Sequence, residues 1–283
     1  MFKTIQPLLF SFDVEWVPDP LAAARLFDVP VSTPGEREHA IRRLWRHGGA
    51  TEEKPQPYLK TVLCRVVTLA GVLRERKPGT TVPSLRLVSL PMRSVLSWPD
   101  EETSILQGFF ESVGSRKPQL VGYNSSQADV PILVQRAIVN GLACPGFATR
   151  PDKPWEGVDY FSNFGEHHVD LAPLLGRYNQ MPALNELARL SGIPGKMDTS
   201  GDGVAELWLE GRKAEILAYN ECDALTTHLV WARFAHFIGL LSAKEYEIEQ
   251  DALRELVTGL AANGKPALQR FLEEWDRLRA ING

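Results

Sequence analysis

The stretch PLLFSFDVEW, residues 7–16, places two acidic residues, Asp13 and Glu15, at the end of an apolar run. Residues two apart on a strand project from the same face, so both carboxylates leave together from a segment suited to burial. Like charges beside a core are costly unless a partner such as a divalent cation neutralises them. Because Asp and Glu also simply end strands, the pair is informative only together with carboxylates further along the chain.

The composition is that of a globular protein. The chain has 283 residues, of which 44% are hydrophobic and 23% are charged, and its formal net charge is −4. No apolar stretch approaches the roughly 20 residues that cross a bilayer, so we expect no membrane association. The N-terminal run lacks a small-residue cleavage site and is interpreted as a core strand, not a signal peptide. The charge argues against a broadly basic nucleic-acid binder but is compatible with a nuclease that has its own acidic cluster.

The cysteines give a separate indication. Cys64, Cys144 and Cys222 are scattered, odd in number and without a CxxC spacing. This pattern predicts neither a disulfide framework nor a zinc site. We therefore expect a cytoplasmic, reducing compartment.

Alternation and β-branched content predict an antiparallel meander at the start of the sheet. Residues 6–14, 61–73 and 84–90 are interpreted as its three strands. The connection 18–60 is interrupted by breakers such as PDP and contains one short basic helix within 36–48. A connection of that length in a compact domain is either functional or mobile.

Strands and helices alternate after the meander. The further predicted elements are a helix over 99–114, a strand over 119–124, a helix over 129–141, a strand running into a helix over 168–175, and helical segments over 182–195, 204–240 and 243–281. Strands first, followed by alternating strands and helices, predict an α/β layer architecture. We expect one domain over 1–240, with 18–60 as an insertion, and a helical appendage over 241–283 packed on the same core.

Asp129 stands where a strand gives way to a helix. Asp is among the best N-cap residues, and the position can be explained in that way. A carboxylate at such a junction also lies at the C-terminal edge of the sheet, where open α/β folds bind ligands. Just upstream, Gly122, Tyr123 and Asn124 form the kind of turn that approaches a ligand closely. The two interpretations of Asp129 do not conflict.

The segment AYNECDALTTHLVW, residues 218–231, places Tyr219 and Asp223 four residues apart. On a helix these two side chains share a face. An isolated pair of this kind is usually a surface pair or a tyrosine hydrogen bond. Glu221 points elsewhere and is expected to be solvated.

Taken together, these residues resemble the three exonuclease motifs of the DEDD superfamily of 3′–5′ exonucleases. The motifs are, in order, Asp13-x-Glu15, Asn124-x4-Asp129 and Tyr219-x3-Asp223. The sequence is similar in particular to the proofreading exonuclease domain of B-family DNA polymerases and its stand-alone relatives, over roughly residues 6–240. Each motif is short, but three in the right order form a strong combined signal.

Two neighbouring positions refine the resemblance. Superfamily members with a catalytic histidine place it five residues before the last Asp, where this chain has Ala218. Members with a tyrosine place it four residues before, which is Tyr219, so the chain resembles the tyrosine branch. An aromatic residue usually precedes the second-motif Asp, and here that residue is Ala128. This departure concerns local packing and not the carboxylate.

The resemblance implies a ribonuclease-H-like α/β fold, with a mixed sheet flanked by helices, and a site for two Mg²⁺ or Mn²⁺ ions. Two such ions clamp the attacking and leaving oxygens of an in-line displacement at phosphorus. By the resemblance, Asp13 bridges both ions and Asp129 helps to hold one of them through water. Glu15 and Asp223 hold the ion that activates water. Tyr219, a phenol with an ordinary pKa of about 10, orients the water or the scissile phosphate and is a poor general base.

The expected partner is the 3′ end of a single-stranded nucleic acid, DNA in preference to RNA, with release of nucleoside 5′-monophosphates. Nothing in the sequence visibly reads a 2′-hydroxyl, so an RNA-trimming exonuclease is an alternative. A non-catalytic nucleic-acid-binding relative is a second alternative. Residues 241–283 are too few for a polymerase domain, and any polymerase or repair partner is unknown from the sequence.

Three residues are predicted to contact the substrate. Asn124 lies in the turn of the second motif, and Trp16 either stacks on a terminal base or packs in the core. Lys196 belongs to the loop PGKMDTSGDG, residues 194–203, where it either contacts a phosphate or lies in an ordinary turn.

Three other features have two interpretations each. Asp170 either supports the metal site or caps the helix that follows. The basic helix either grips nucleic acid through Arg42 and Arg46 or buries Leu44 or Trp45 as an ordinary amphipathic helix. His167 and His168 could be zinc ligands but lack partners in the sequence.

Overall fold

The acidic pair of the first motif lies on the central strand of a five-stranded sheet. The computed structural model describes residues 2–91, 101–153, 156–162, 165–176, 180–196 and 203–281. The described strands are Leu8–Pro18 (β1), Cys64–Glu75 (β2), Ser84–Leu90 (β3), Gln119–Gly122 (β4) and His168–Asp170 (β5). The described helices are Pro20–Phe27 (α1), Pro34–His47 (α2), Glu101–Arg116 (α3), Asp129–Val139 (α4), Pro145–Ala148 (α5), Ala172–Leu175 (α6), Leu184–Leu190 (α7), Val204–Leu209 (α8), Lys213–Phe237 (α9), Ala243–Ala262 (α10) and Pro266–Ile281 (α11).

The sheet is mixed and has the order β3-β2-β1-β4-β5. β1, β2 and β3 pair antiparallel, which confirms the predicted meander. β4 and β5 add parallel strands on the other side of β1. With helices on its faces, this is the predicted α/β architecture of a ribonuclease-H-like mixed sheet.

The alternation of β1 separates two cores on opposite faces of the sheet. Phe10 and Phe12 belong to the α3 core, a buried cluster that also contains Phe109, Ile132 and Leu133. Leu9 belongs to the α9 core, a buried cluster that also contains Val72, Leu225, Leu229 and Trp231. Asp13 and Glu15 have the parity of Leu9, so strand geometry directs them towards α9.

A register shift follows the acidic pair at once. Asp13 pairs with Ala70 and Glu15 with Thr68, but Trp16 pairs with Val66. A bulge of this kind bends a strand and redirects the side chains that follow. Even after the bulge, Trp16 packs against the α3 core, on the side of the sheet that holds Phe10 and Phe12.

The segment 18–60 contains two helices, and the prediction of one was wrong. α1 was missed because the sequence PDP reads as a breaker. In the structure Asp19 is the N-cap of α1, its Oδ1 accepts the Leu21 amide at 3.1 Å, and Pro20 occupies the first helical position. Proline is favoured there because its missing N–H has no partner in the first turn.

Three further local predictions fail for physical reasons. Ala128, not Asp129, is the N-cap of α4, and no side chain caps that helix. The predicted helix over 204–240 is divided into α8 and α9, with Gly211 at φ +74° between them. Glu221 is buried, not solvated, and accepts hydrogen bonds from Ser89 and Lys265. The burial follows because Glu221 lies between Ser89 of β3 and Lys265 of the connection from α10 to α11.

The two C-terminal helices complete the α9 core. Leu253 and Val257 of α10 and Phe271 and Trp275 of α11 are buried in the same cluster as Leu229. None of the described helices combines the length and the low polarity that crossing a bilayer requires.

A buried ion pair ties α10 to the sheet. Arg74 of β2 is 1% exposed, and its Nε donates to Oε1 of Glu249 at 2.8 Å. Glu249 is also buried, so each charge depends on the other. Removing one partner of such a pair leaves an uncompensated charge in the interior.

We expect Glu249→Ala to lower the free energy of unfolding by about 3–5 kcal/mol, because Arg74 loses its counter-ion. Denaturant unfolding followed by circular dichroism measures the change. Glu247→Ala, at an exposed position of the same helix, should stay within about 0.5 kcal/mol of the parent. Similar small effects at both positions would show that the pair does not secure α10.

Candidate active site

Three carboxylates from distant parts of the chain meet beside the bulge of β1. Asp13, Glu15 and Asp223 each offer one carboxylate oxygen, and these oxygens lie within 4.8 Å of one another. The first two come from β1 and the third from the middle of α9, which packs across β1 and β2. The structure therefore brings together three of the four carboxylates that the sequence singled out.

Asp129 approaches the same strand from the start of α4. Its Oδ1 accepts the amide hydrogen of Val14, between the two acidic residues of β1, at 3.1 Å. The ladder between β1 and β4 spans only Leu9–Ser11 on the β1 side, so this amide lies beyond it. Among the residues that the structure describes, Asp129 does not join the 4.8 Å cluster. It lies next to the cluster, with one oxygen bonded to backbone.

Burial and mutual repulsion favour the protonated forms of these carboxyl groups. Burial raises the pKa of Asp13 well above its ordinary value, and the charges of Asp129 and Glu15 add to the effect. Burial and the charge of Asp223 raise the pKa of Glu15. Burial also raises the pKa of Asp129 to about 7 and the pKa of Asp223 to about 6. Without a cation, the cluster therefore retains protons at a pH where ordinary carboxyl groups are ionised.

Lys196 is a positive group at this site. Its ammonium lies 5.6 Å from the centroid of the Tyr219 ring, and its charge opposes the rise in pKa of Glu15 and Asp223. The Lys196 side chain is exposed, which leaves it accessible to a phosphate. The remainder of its predicted loop, residues 197–202, lies outside the described residues.

Tyr219 lies one helical turn before Asp223 and is 5% exposed. Burial raises the pKa of its phenol well above the ordinary value, and the charges of Asp223 and Glu15 raise it further. The hydroxyl therefore keeps its proton at neutral pH. It can donate a hydrogen bond but cannot act as a general base.

The donor set fits a hard divalent cation. Carboxylate oxygens are the ligands that Mg²⁺ and Mn²⁺ prefer. In the described part of the chain, nothing donates a hydrogen bond to the buried Oδ1 of Asp223. A buried acceptor in that state is costly, and a bound cation would satisfy it. Asp13, Glu15 and Asp223 are the residues that would hold the ion.

Other predicted residues have local roles in the structure. Trp16 follows the bulge and packs, half-buried, against the α3 core. Asn124 has φ +61°, and its carbonyl accepts amides of the turn before α4. Asp170 accepts the Ser126 amide at 2.9 Å and the Ala172 amide at 3.2 Å, so it secures that turn and the start of α6. Capping of α6 was one of its two predicted roles, but the N-cap of that helix is Leu171.

The basic helix and the histidine pair also form local contacts. Arg42 forms an ion pair with Glu38 at 2.5 Å on the exposed face of α2, and Leu44 is fully buried. This supports the amphipathic interpretation of the helix over the nucleic-acid grip. His168 Nε2 lies 2.9 Å from the Ser125 hydroxyl. The hydrogen bond to Ser125 gives His168 a partner within the protein, so a zinc ion is not needed to explain this histidine.

Sequence reasoning missed Asn220. Its Nδ2 donates to Oδ2 of Asp13 at 2.6 Å, and the residue is 0% exposed. The available signal was its position, since it directly follows Tyr219 and shares a helix face with Asp223 three residues later. Asparagine is a weak helix former, so an Asn in the middle of a helix next to Tyr219 was a second signal for a site residue.

We expect Asp129→Asn to raise the free energy of unfolding of the metal-free protein at pH 8, on the order of 2 kcal/mol. The folded-state pKa of Asp129, about 7, lies above its unfolded value, so its contribution to stability is lost as the pH rises through 7. The amide oxygen of Asn can still accept the Val14 hydrogen bond. Denaturant unfolding in the presence of a chelator measures the effect, with exposed Asp28→Asn as the control. A loss of stability at pH 8 would contradict the expectation.

Comparison with protein families places the chain. A family described as "Predicted 3'-5' exonuclease related to the exonuclease domain of PolB" matches residues 56–275. The matched range contains Asp129, Tyr219 and Asp223, and it begins after β1. No curated protein matches the sequence.

One similar solved structure is that of the family B DNA polymerase from the hyperthermophilic archaeon Pyrobaculum calidifontis. The sequences are 18% identical, the TM-score is 0.49, and the match covers 88% of this chain and 27% of the polymerase chain. The similarity is thus to a minor part of that polymerase. The family match described above spans most of the residues of this chain. The chain therefore belongs to the family of predicted 3′–5′ exonucleases related to the exonuclease domain of PolB.

Proposed function

We propose that the protein is a metal-dependent 3′–5′ exonuclease that hydrolyses phosphodiester bonds at the 3′ end of single-stranded DNA. The products are nucleoside 5′-monophosphates. The observation that carries the proposal is the meeting of Asp13, Glu15 and Asp223 within 4.8 Å, in a chain whose family is predicted to have this activity. Ionised carboxylates at such a distance repel one another unless cations neutralise their charge.

Mg²⁺ or Mn²⁺, as two ions, is the proposed cofactor. When bound, such ions neutralise the charge that develops on the attacking and leaving oxygens at phosphorus. Asp13, Glu15 and Asp223 would hold them directly. Asp129 would take part through water or through its second oxygen, because its Oδ1 is held by the Val14 amide.

The remaining residues position the substrate in this proposal. The protonated hydroxyl of Tyr219 donates to the scissile phosphate or to the attacking water. Lys196, exposed beside Tyr219, neutralises a phosphate of the strand. We retain Asn124 and Trp16 as substrate contacts, Asn124 through its turn and Trp16 through the part of its ring left open by the α3 core.

The domain organisation and setting are part of the same proposal. Residues 1–240 form the exonuclease domain, with 18–60 as an insertion, and 241–283 form a helical appendage. The burial of α10 and α11 residues in the α9 core supports one folding unit. We place the enzyme in the cytoplasm from its cysteine pattern and leave any polymerase or repair partner unspecified.

We expect the purified protein to shorten a 5′-labelled single DNA strand stepwise with Mn²⁺ or Mg²⁺, and a chelator to stop the reaction. Asp13→Asn should lower the rate by about 100-fold or more, because metal ions supply several kcal/mol of transition-state stabilisation. Exposed Asp28→Asn, which removes the same charge elsewhere, should not change the rate. Gel electrophoresis of time points measures all three proteins.

Matched DNA and RNA strands in the same assay separate the alternatives. Faster shortening of RNA would identify an RNA-trimming exonuclease. Saturable Mn²⁺ binding with no digestion of either strand would identify a non-catalytic relative. Absence of both binding and digestion, at several salt concentrations, would overturn the proposal.

We expect Tyr219→Phe to lower kcat by about 100-fold, because a hydrogen-bond donor to the transition state is lost. The lower kcat should persist at saturating Mn²⁺, since the phenol is not a proposed ligand, although it also hydrogen-bonds the ligand Asp223. Tyr160→Phe is the matched control, because it removes another buried hydroxyl, one that donates to the Pro118 carbonyl at 2.8 Å. An equal kcat for the two variants would exclude a role for the Tyr219 hydroxyl in the reaction.

A further inference from the structure

Asn220 contacts the acidic cluster although it occupies one of the unspecified positions of the third motif, between Tyr219 and Asp223. Its side-chain amide donates to Oδ2 of Asp13 at 2.6 Å, which is a short bond for an N–H donor. The contact joins α9 to β1 at the same place where Asp223 approaches Asp13 and Glu15. One of the two carboxylate oxygens of Asp13, Oδ2, therefore accepts a hydrogen bond from the protein itself.

The backbone fixes the position of this donor. Asn220 precedes Asp223 by three residues on α9, so the two side chains lie on the same helix face. The residue is 0% exposed, and the helix around it is buried on all sides. The amide and the Asp223 carboxylate are thus held at a constant spacing, with no room for the amide to turn away.

Stability alone does not explain an asparagine here. Its Oδ1 is buried and accepts no hydrogen bond from the residues that the structure describes. An unsatisfied buried acceptor is unfavourable, and asparagine is a weak helix former in a helix interior. An alanine would avoid both costs but would leave Oδ2 of Asp13 without its donor.

We infer that Asn220 is a positioning residue, which holds Oδ2 of Asp13 so that this carboxylate presents a fixed orientation to the metal ions. The inference rests on the proposed function, because it assigns Asn220 a task within that metal site. Partners that hydrogen-bond a metal ligand orient it, and their loss typically costs 10–100-fold in metal affinity or activity.

The test is calorimetric titration of Mn²⁺ into the metal-free full-length protein, without nucleic acid. We expect Asn220→Ala to bind Mn²⁺ about 10–100-fold more weakly than the parent. Thr227→Val is the matched control, because Thr227 lies on the same helix, is 0% exposed and has a buried Oγ1 without a described partner. Its Mn²⁺ affinity should stay within about twofold of the parent if only the contact with Asp13 matters.

A second readout separates positioning from a general structural effect. Raising the Mn²⁺ concentration should restore the exonuclease rate of Asn220→Ala, because the defect lies in metal retention, whereas misfolding would not be rescued in this way. Circular dichroism confirms that each variant is folded. Asn220→Ser, which keeps a smaller side-chain donor, replaces Asn220→Ala if the latter does not fold and should show an intermediate Mn²⁺ affinity.

The outcomes distinguish this inference from the proposed function. Equal Mn²⁺ affinities for the parent, the Asn220 variant and Thr227→Val would overturn the positioning role and leave the metal site intact. Weakened binding in both the Asn220 and Thr227 variants would also overturn it, since any buried polar residue of α9 would then have the same effect. No saturable Mn²⁺ binding to the parent would overturn the metal site and the positioning role together.

Discussion

The packing of α9 across β1 and β2 is the contact on which the remainder of the structure depends. It closes the α9 core around Leu225, Leu229 and Trp231, and the same interface carries Asp223 to the acidic pair of β1. Burial of apolar side chains along most of this interface contributes favourable free energy. This contribution offsets the cost of holding like-charged carboxylates together at one end of the interface. The helix must therefore be long and well covered, and α10 and α11 provide that cover.

The site shows how a fold accommodates an unfavourable arrangement. Desolvation and repulsion raise the pKa of Asp13 and Glu15, and the buried Oδ1 of Asp223 receives no described hydrogen bond. Individual bonds limit this cost, among them the Asn220 amide on Asp13 and the Val14 amide on Asp129. What they leave uncompensated is a concentration of negative charge, which a divalent cation can neutralise. Residues that conflict with stability are thus the most informative ones about function.

The sequence predicted the elements with strong periodicity and failed where local signals were ambiguous. The strand meander and the helical nature of the α9 segment followed from alternation and spacing. α1 was missed because a proline marks a helix start as well as a break, and only the Asp19 contact distinguishes the two. Asp129 was expected as an N-cap, but Ala128 holds that position and the Asp129 carboxylate binds the Val14 amide on another strand. Long-range partners of this kind leave no local pattern.

The sequence by itself determined which chemistry is present: two carboxylates on one face of a strand, and a phenol and a carboxylate on one face of a helix. These relations follow from the periods of strand and helix, which act over a few residues. Only the tertiary structure decided that oxygens of three carboxylates lie within 4.8 Å of one another. It also decided that Asp129 lies beside this cluster and that Asn220 donates a hydrogen bond to Asp13. Those relations depend on how β1, α4 and α9 pack together, which is set by side chains distant in the chain. The buried Glu221 is the clearest case, because helix geometry placed it away from the cluster and the packing of β3 and of the connection from α10 to α11 placed it in the interior.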